Sequence, residues 1–209
     1  TFSLGFVNYP LFQAADITCV GASLVPVGKD QLPHIEQTRE VVEKFNNLYG
    51  DVLVKPEGLV GKVGKLIGTD GNPKMSKSLG NTIELSASAE EVKKAVKAMY
   101  TDPGRIRATD PGKVEGNPVF VYHDSFNPNK EEVADLKERY AKGAVGDVEV
   151  KERLTIALNN FLEPIREKRS YYEKHPDEVM DILKEGTKKT RAEASLTLEK
   201  VREAMKMKY

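Results

Sequence analysis

The chain has 209 residues, 39% of them hydrophobic and 31% charged, which is ordinary for a globular protein with one large domain or two small ones. Its 32 basic and 32 acidic residues balance. This argues against a protein that binds nucleic acid along a long stretch of backbone, because such proteins usually carry a basic excess. A single cysteine, Cys19, excludes an internal disulfide and a cysteine-cluster metal site.

The first apolar segments alternate between helix and strand patterns. Pro10 suits the first turn of a helix and predicts one over residues 11–20. Residues 23–27 have the pattern of a short apolar strand, Pro33 predicts the start of a second helix, and residues 51–54 are a second strand candidate. This alternation predicts an α/β fold, as part of a doubly wound sheet in which ligands bind beyond the carboxyl ends of the strands.

The remainder of the chain is predicted to be helical after a glycine-rich loop over residues 59–81. Ser88 and Glu91 have the spacing of a capping box at a helix start. Asn117, which precedes a proline, marks another helix start, and a final helix is predicted over residues 177–206. An all-α helical bundle therefore follows the α/β part.

The most informative motif is the five-residue segment from Lys74 to Ser78, in which two lysines are three residues apart within the glycine-rich loop. A mobile loop of this kind can close over a polyphosphate and place two ammonium groups on it. Ammonium groups stabilise the negative charge that develops when pyrophosphate leaves ATP, more strongly in the transition state than in the ground state. The alternative is a solvated basic turn.

Tyr9, Gln13 and Asp16 share one face of the first predicted helix, given their spacing. A buried carboxylate is costly without a donor, and a substrate N–H could be the donor to Asp16. The face thus offers one ring and two acceptors to an aromatic substrate with a polar edge. The alternative is an ordinary aspartate at a helix end that pairs with a neighbouring lysine.

A polar turn follows the first predicted strand directly. Gly28 lets a ligand approach the backbone, Asp30 can accept hydrogen bonds from ribose hydroxyls, and Gln31 can bond an amino group or a carboxylate. The alternative is a strand-to-helix turn in which Asp30 is the N-cap of the helix. Both interpretations place this turn at the carboxyl end of a strand.

Together and in this order, the three segments resemble the tryptophanyl-tRNA synthetase family of class I aminoacyl-tRNA synthetases, over nearly the whole chain. The resemblance implies the second half of a class I, Rossmann-like nucleotide-binding domain over residues 1–84. It also implies a helical anticodon-binding domain over residues 85–209, whose last helix returns to the catalytic domain. Two alternatives are the related tyrosine-specific synthetases, which differ around Asp16, and a non-catalytic relative that binds tRNA or another partner.

The resemblance also implies a role for each motif residue. Asp16 would accept the indole N–H of tryptophan, and Lys74 and Lys77 would be the catalytic lysines. The substrate-binding residues would be Tyr9, Gln13, Asp16 and Gln31. The ATP-binding residues would be Gly28, Lys29, Asp30, Ile67, Lys74, Met75, Ser76, Lys77 and Ser78.

The reaction implied by the resemblance is the ATP-dependent activation of L-tryptophan and its transfer to tRNA(Trp), with Mg²⁺ accompanying ATP and no iron–sulfur cluster. The full-length enzyme is expected to be a cytoplasmic homodimer without a membrane-spanning segment. The family's histidine–isoleucine–glycine–histidine segment is absent, and neither His34, His123 nor His175 has its context. We therefore expect this chain to be the C-terminal two-thirds of the enzyme, and to be inactive alone.

Nine basic residues in the second half of the chain are candidates for contacts with tRNA, although most lysines on helices are simply solvated. The resemblance, rather than the charge of these residues, suggests the contact. They are Arg105, Arg107, Lys113, Arg166, Lys168, Arg169, Lys188, Lys189 and Arg191.

Overall fold

The computed structural model describes residues 3–61, 63–64, 66–105 and 107–207, and it contains seven α-helices and two β-strands within those ranges. The chain divides into two compact units. The first unit comprises Thr1–Gly64 and Asp177–Tyr209, and the second comprises Lys65–Pro176.

Helix and strand alternate in the first unit, as the sequence pattern predicted. Helix α1 (Leu4–Thr18) is followed by strand β1 (Leu24–Val27), helix α2 (Leu32–Tyr49) and strand β2 (Glu57–Val60). The last helix of the chain, which we label α7 (Pro176–Ala204), contributes to the same unit.

Strands β1 and β2 pair in parallel, with a register that begins at Leu24 opposite Glu57. A parallel pair requires a crossover connection, and α2 supplies it. Gly58 of β2 approaches α2 so closely that a Cβ atom there would stand 2.8 Å from a methyl carbon of Leu32. Glycine at this position therefore allows the strand and the helix to pack together.

Helix α2 begins within one residue of the predicted position. Pro33 lies in its first turn, where a missing N–H costs nothing, and Ile35, Thr38 and Val42 are buried. The Thr38 hydroxyl donates to the carbonyl oxygen of His34 at 2.8 Å, so this buried polar group is hydrogen-bonded. The proline and the helical spacing of the apolar residues were therefore sound signals.

Helix α1 begins earlier than the sequence predicted. The Ser3 hydroxyl caps it by accepting a hydrogen bond from the Phe6 N–H at 3.2 Å. Pro10 consequently lies inside the helix and not in its first turn, so that prediction was wrong. A proline inside a helix removes one hydrogen bond, but it does not prevent a helix that a cap has started upstream.

The second strand lies later than predicted, and the assignment of residues 51–54 to a strand was wrong. The Asn46 carboxamide organises this segment by accepting from the N–H groups of Val52 and Leu53 and by donating to the Leu53 carbonyl oxygen. Backbone groups that bond a side chain in this way are unavailable to a strand ladder. The strand forms instead at Glu57–Val60.

The second unit is helical in its described residues, apart from its loops. Its α-helices are α3 (Ala89–Ala98), α4 (Pro118–Phe126), α5 (Lys130–Ala141) and α6 (Asp147–Lys174). Helix α6 contacts both α3 and α4, and α4 also contacts α5. Their buried apolar side chains form one core, whose members include Val92, Val96, Phe120, Leu136, Tyr140, Leu154 and Leu158.

Side-chain caps start these helices where the sequence predicted. The Ser88 hydroxyl accepts from the Glu91 N–H at 3.3 Å, and the Glu91 carboxylate accepts from the Ser88 N–H at 2.8 Å. This reciprocal pair is the predicted capping box. The Asn117 carboxamide accepts from the Val119 N–H at 3.0 Å and caps α4. The two cap signals in the sequence are therefore confirmed.

Arg105, one of the nine basic residues considered for tRNA contact, is 9% exposed and holds the segment between α3 and α4. Its guanidinium donates to the carbonyl oxygens of Ala108, Asp110 and Val145, and it lies 4.2 Å from the centre of the Tyr140 ring. A guanidinium with these partners cannot face tRNA, so that prediction was wrong for Arg105. A connector rich in proline and glycine leaves carbonyl oxygens without helical partners, and Arg105 supplies donors to them.

His123 is fully buried in the second unit, and its hydrogen bonds define its protonation state. One ring nitrogen, Nε2, lies 3.0 Å from the Val150 carbonyl oxygen, which can only accept. The other, Nδ1, lies 3.2 Å from the Asn127 Nδ2 atom, which can only donate. The ring is therefore neutral, with its proton on Nε2, because a second proton would face a donor.

We predict that the stability of this unit falls as the pH is lowered through about 6.5, the ordinary pKa of histidine. Burial lowers the pKa of His123, against the opposing effect of Glu132 and Asp124, so the unfolded chain binds a proton at a pH where the folded chain does not. The loss is about 1.4 kcal/mol per pH unit at most, and it ends below the lowered pKa of the folded state.

Urea unfolding between pH 5 and pH 8 measures this slope in the wild type and in a His123→Gln variant. The substitution removes the part of the slope due to His123, whereas His175→Gln at an exposed position keeps it. An unchanged slope in His123→Gln would contradict the prediction.

Candidate functional site

The first predicted group of site residues lies on helix α1. Tyr9, Gln13 and Asp16 all fall within this helix, at spacings that place them along one face. Tyr9 is 44% exposed, Gln13 is half-buried and Asp16 is exposed. The expectation that Asp16 is buried was wrong, because the buried residues of α1 are Ala14 and Ile17. The Asp16 carboxylate is therefore solvated in this structure.

Helix α1 also exposes an unusually large apolar surface. Leu4, Phe6, Val7, Leu11 and Phe12 all lie in it, and Phe12 is 68% exposed. A helix that is apolar around most of its circumference is normally buried. The residues that we predict to bind a substrate therefore belong to an exposed apolar helix.

His34 of α2 holds the ring of Tyr9. The Tyr9 hydroxyl and the His34 Nε2 atom are hydrogen-bonded at 2.9 Å, and the two rings meet edge to face with their centres 5.3 Å apart. His34 lacks the sequence context of the family's histidine signature, so the sequence did not indicate a role for it. The sequence shows only that His34 directly follows the proline that starts α2. That position does not by itself indicate a partner on α1.

The second predicted group follows strand β1. Gly28 is the N-cap of a 3₁₀ helix (Lys29–Gln31), and Gln31 is in turn the N-cap of α2. The Asp30 carboxylate accepts from the Gln31 carboxamide at 2.9 Å, and both Lys29 and Asp30 are exposed. Asp30 is thus not the N-cap of the helix, although the segment does connect strand β1 to α2, as the alternative interpretation supposed.

Gly28 leaves room for the Asp30 carboxylate. A Cβ atom at Gly28 would stand 2.7 Å from the Asp30 Oδ1 atom, closer than van der Waals contact allows. A side chain at position 28 would therefore displace the carboxylate. The Gln31 carboxamide holds this acceptor by its hydrogen bond, in the turn that directly follows strand β1.

The lysine segment lies in the second unit. Lys74 and Lys77 are both exposed, and the Lys77 side chain is 83% exposed with its ammonium 3.2 Å from the Glu84 carboxylate. An ion pair as exposed as this one contributes little to stability. Both ammonium groups are therefore accessible to an anionic ligand, and Glu84 is a partner of Lys77 that the sequence did not indicate.

The residues between and after the lysines have different surroundings. Met75 packs against the apolar core of the second unit. The hydroxyls of Ser76 and Ser78 are hydrogen-bonded to each other at 2.7 Å. A 3₁₀ helix (Lys77–Leu79) ends the segment at Gly80, whose φ of +65° is the left-handed conformation that glycine adopts readily. The loop thus carries its charges outward and anchors itself by Met75.

Asn81, which the sequence analysis did not single out, is the buried centre of this loop at 2% exposure. Its carboxamide nitrogen donates to the Asp70 carboxylate and to the Lys74 carbonyl oxygen, each at 3.0 Å. Its carboxamide oxygen accepts from the Ser76 N–H at 2.9 Å. One side chain therefore closes the loop on both sides of Met75.

Gly68 makes room for that arrangement. A Cβ atom at Gly68 would stand 2.3 Å from the Asn81 Nδ2 atom and 2.5 Å from the Asp70 Oδ1 atom. The Asn72 N–H and the Asn81 carboxamide hydrogen-bond to Asp70 and hold the pKa of its carboxyl group below its usual value. A glycine, a carboxylate and a buried carboxamide thus form one compact cluster.

Ile67 lies just before this cluster and is half-buried. Its carbonyl oxygen accepts a hydrogen bond from the Tyr122 hydroxyl at 3.2 Å. This bond ties the beginning of the loop to helix α4. Ile67 and the lysine segment therefore belong to the same unit.

Another basic residue considered for tRNA contact, Arg166, is held within the unit. Its side chain is 15% exposed and donates to Ala87 and Asn159.

Within the described ranges, no group of three or more histidine, cysteine or acidic side chains is arranged to hold a metal ion. None of the helices, as far as they are described, is long and apolar enough to cross a membrane.

Comparison with known proteins relates the chain to one family. The family described as tRNA synthetases class I (W and Y) matches residues 1–163. Among curated relatives, a tryptophan–tRNA ligase of Treponema pallidum is 56% identical over 201 residues, which is 96% of this chain and 60% of the relative. A tryptophan–tRNA ligase of Clostridium longisporum is 50% identical and covers 98% of this chain and 61% of its own length.

Solved structures give the same relationship. The tryptophanyl-tRNA synthetase of Campylobacter jejuni in complex with ADP and tryptophan is 33% identical, with a TM-score of 0.76, over 98% of this chain and 63% of that structure. A tyrosyl-tRNA synthetase of Archaeoglobus fulgidus is 24% identical, with a TM-score of 0.59, and supports the fold alone. The chain spans about three-fifths of the length of the curated relatives it matches. It belongs to the class I tRNA synthetase family of the tryptophan and tyrosine enzymes.

Proposed function

We propose that the protein is a tryptophan–tRNA ligase, which activates L-tryptophan with ATP and transfers it to tRNA(Trp). The observation that carries the proposal is the lysine loop, which presents two accessible ammonium groups on a segment fixed by Asn81. The choice of tryptophan rests on the curated relatives, which are named tryptophan–tRNA ligases at 49–56% identity.

The proposed first step forms an acyl phosphate. A tryptophan carboxylate oxygen attacks the α-phosphorus of ATP, the bond between that phosphorus and the bridging oxygen breaks, and pyrophosphate leaves with the electron pair. In the second step a ribose hydroxyl of tRNA attacks the activated carbonyl carbon and AMP leaves. Lys74 and Lys77 stabilise the charge that builds on the leaving phosphates in the first step.

The proposed amino-acid pocket uses the exposed face of α1. The Asp16 carboxylate accepts the indole N–H, while Tyr9 and Gln13 border the ring and Gln31 contacts the substrate. A site that bonds a substrate N–H rejects phenylalanine, because the acceptor would then be left unpaired. Tyr9 is held in place for this role by its hydrogen bond to His34.

The remaining assignments complete the proposal. Gly28, Lys29 and Asp30 bind the adenosine of ATP, with Asp30 accepting from the ribose hydroxyls, and the family resemblance assigns Ile67 to ATP binding as well. Mg²⁺ enters with ATP and takes the phosphates as ligands. We further propose a cytoplasmic homodimer.

We also propose a domain arrangement. Residues 1–84 would complete a Rossmann-like catalytic domain, and residues 85–209 would form a helical domain for the anticodon stem, with the last helix returning to the catalytic domain. The alternation of helix and strand before residue 61 and the four helices between residues 89 and 174 support the order of the two parts. The compact units divide between Gly64 and Lys65, however, so the lysine loop belongs to the same compact unit as those four helices.

We predict that Lys74→Ala and Lys77→Ala each lower the kcat of tryptophan-dependent pyrophosphate exchange by about 100-fold or more, since each removes a cation from the transition state. Exchange is measured with the intact protein encoded by the gene, because this chain spans only part of its relatives. Lys94→Ala, at an exposed position of α3, is the control and keeps full activity. Retention of exchange in both loop variants would overturn the catalytic role of the lysines, whereas an intact wild type that binds tRNA without catalysing exchange would favour the non-catalytic alternative.

We predict that Asp16→Ala raises the KM for tryptophan by about 10- to 100-fold, the range for a lost hydrogen bond to a charged group. The KM for ATP changes little, because the carboxylate is assigned to the amino acid alone. Glu40→Ala, an exposed acidic position of α2, is the control. Exchange that depends on tyrosine, with no competition by tryptophan, would instead identify the tyrosine-specific alternative.

A further inference from the structure

We propose that Asn81 is the residue that positions the two lysines of the loop, acting through a clasp formed by Asp70, Lys74, Ser76 and Asn81. The proposal rests on the function proposed above, since it concerns how Lys74 and Lys77 reach the phosphates. In this proposal Asn81 does not contact a substrate. Its role is to keep the loop backbone in one shape while the charged side chains remain free to move.

The hydrogen bonds of the clasp span the segment that carries the first lysine. Asn81 receives the Ser76 N–H on its carboxamide oxygen and donates from its carboxamide nitrogen to the Lys74 carbonyl oxygen. These two bonds hold the backbone on either side of Met75. The Cα positions of Lys74 and of Lys77, which follows Ser76 directly, are therefore fixed relative to Asn81.

The clasp also joins the loop to the rest of the second unit. Asn81 donates to Asp70, and its own carbonyl oxygen accepts from the Thr69 N–H at 3.0 Å. The carbonyl oxygen of Thr69 in turn accepts from the Tyr100 N–H at 2.8 Å, directly after α3. A continuous chain of hydrogen bonds thus runs from the lysine segment to the helical core.

The chemistry of the cluster requires a carboxamide at position 81. The same side chain must donate to two acceptors, Asp70 and Lys74, and accept from Ser76. An aspartate offers acceptors only and would repel the neighbouring carboxylate, whereas a leucine would remove all three hydrogen bonds, although Asp70 would keep its bond from the Asn72 N–H. Burial makes each of these losses costly, since a buried polar group without a partner loses its hydration as well.

The position of the lysines matters because electrostatic stabilisation depends on distance and direction. A misplacement of about 1 Å can cost about 100-fold in rate. Loss of the clasp should therefore reduce kcat more than substrate affinity. A role confined to stability would leave the kcat of the folded protein unchanged.

The experiment compares Asn81→Ala with Asn127→Ala in the intact protein. Asn127 is 3% exposed in the same unit, and its carboxamide also bonds three partners, so it is a matched buried asparagine outside the loop. We expect Asn81→Ala to lower the kcat of pyrophosphate exchange by about 10- to 100-fold with the KM for tryptophan unchanged. We expect Asn127→Ala to lower the melting temperature but not kcat.

Two further measurements test the clasp, and the second does not require Asn81→Ala to fold. Residue-resolved hydrogen exchange should show a faster Ser76 amide in Asn81→Ala, and a protected one in Asn81→Asp, which keeps the acceptor oxygen. The Asn81→Asp, Asp70→Asn double variant reverses the direction of one hydrogen bond and relieves the repulsion, so it should recover kcat about tenfold over Asn81→Asp alone.

The outcomes separate this proposal from the function on which it rests. If Lys77→Ala abolishes exchange while Asn81→Ala keeps full kcat, or if Asn127→Ala loses as much kcat as Asn81→Ala, the positioning role is overturned and the proposed function stands. An unchanged Ser76 amide in Asn81→Ala also overturns it. If the intact wild type catalyses no exchange, the proposed function fails and this proposal fails with it.

Discussion

The lysine loop depends on one buried carboxamide, which bonds the loop backbone on both sides of Met75 while Met75 itself packs on the core. The ammonium groups of Lys74 and Lys77 gain from solvent, and they would lose that solvation if the loop collapsed on itself. Asn81 resolves the conflict by bonding the backbone of the loop, so that its charged side chains can stay in water. Gly68 and Asp70 then follow from Asn81, since one leaves it space and the other accepts its second N–H.

In the first unit, too, the exposed groups that we propose to bind ligands differ from the groups that hold the backbone in place. Asp16 and Asp30 are solvated acceptors, whereas the groups that fix the surrounding structure are backbone caps and half-buried side chains such as Gln31. An exposed acceptor can exchange water for a ligand at moderate cost. For a ligand that binds Asp16, affinity then depends on how the exposed apolar surface of α1 is covered in the bound state.

The sequence predicted those parts of the fold whose signals are local. The Ser88–Glu91 capping box, Asn117 before a proline and Pro33 in a first turn each act through bonds to the next three or four residues, and all three were correct. The wrong prediction of a strand over residues 51–54 involves a side chain that bonds the backbone from farther away. Asn46 took the N–H groups of Val52 and Leu53, and a strand expected there formed later.

For the candidate site, too, signals visible in the sequence identified some residues, and contacts created by the fold account for those that were missed. Lys74 and Lys77 were identified because charge spacing is visible in the sequence, and Asp16 because its neighbours are apolar. Asn81, Glu84 and His34 were missed because their roles come from contacts that the fold creates. A residue that acts through its partners carries no signature of its own. Of these three, Asn81 is buried, and its burial makes it the position most sensitive to substitution. The exposed lysines determine what the loop can bind, and the buried asparagine determines where the loop presents them.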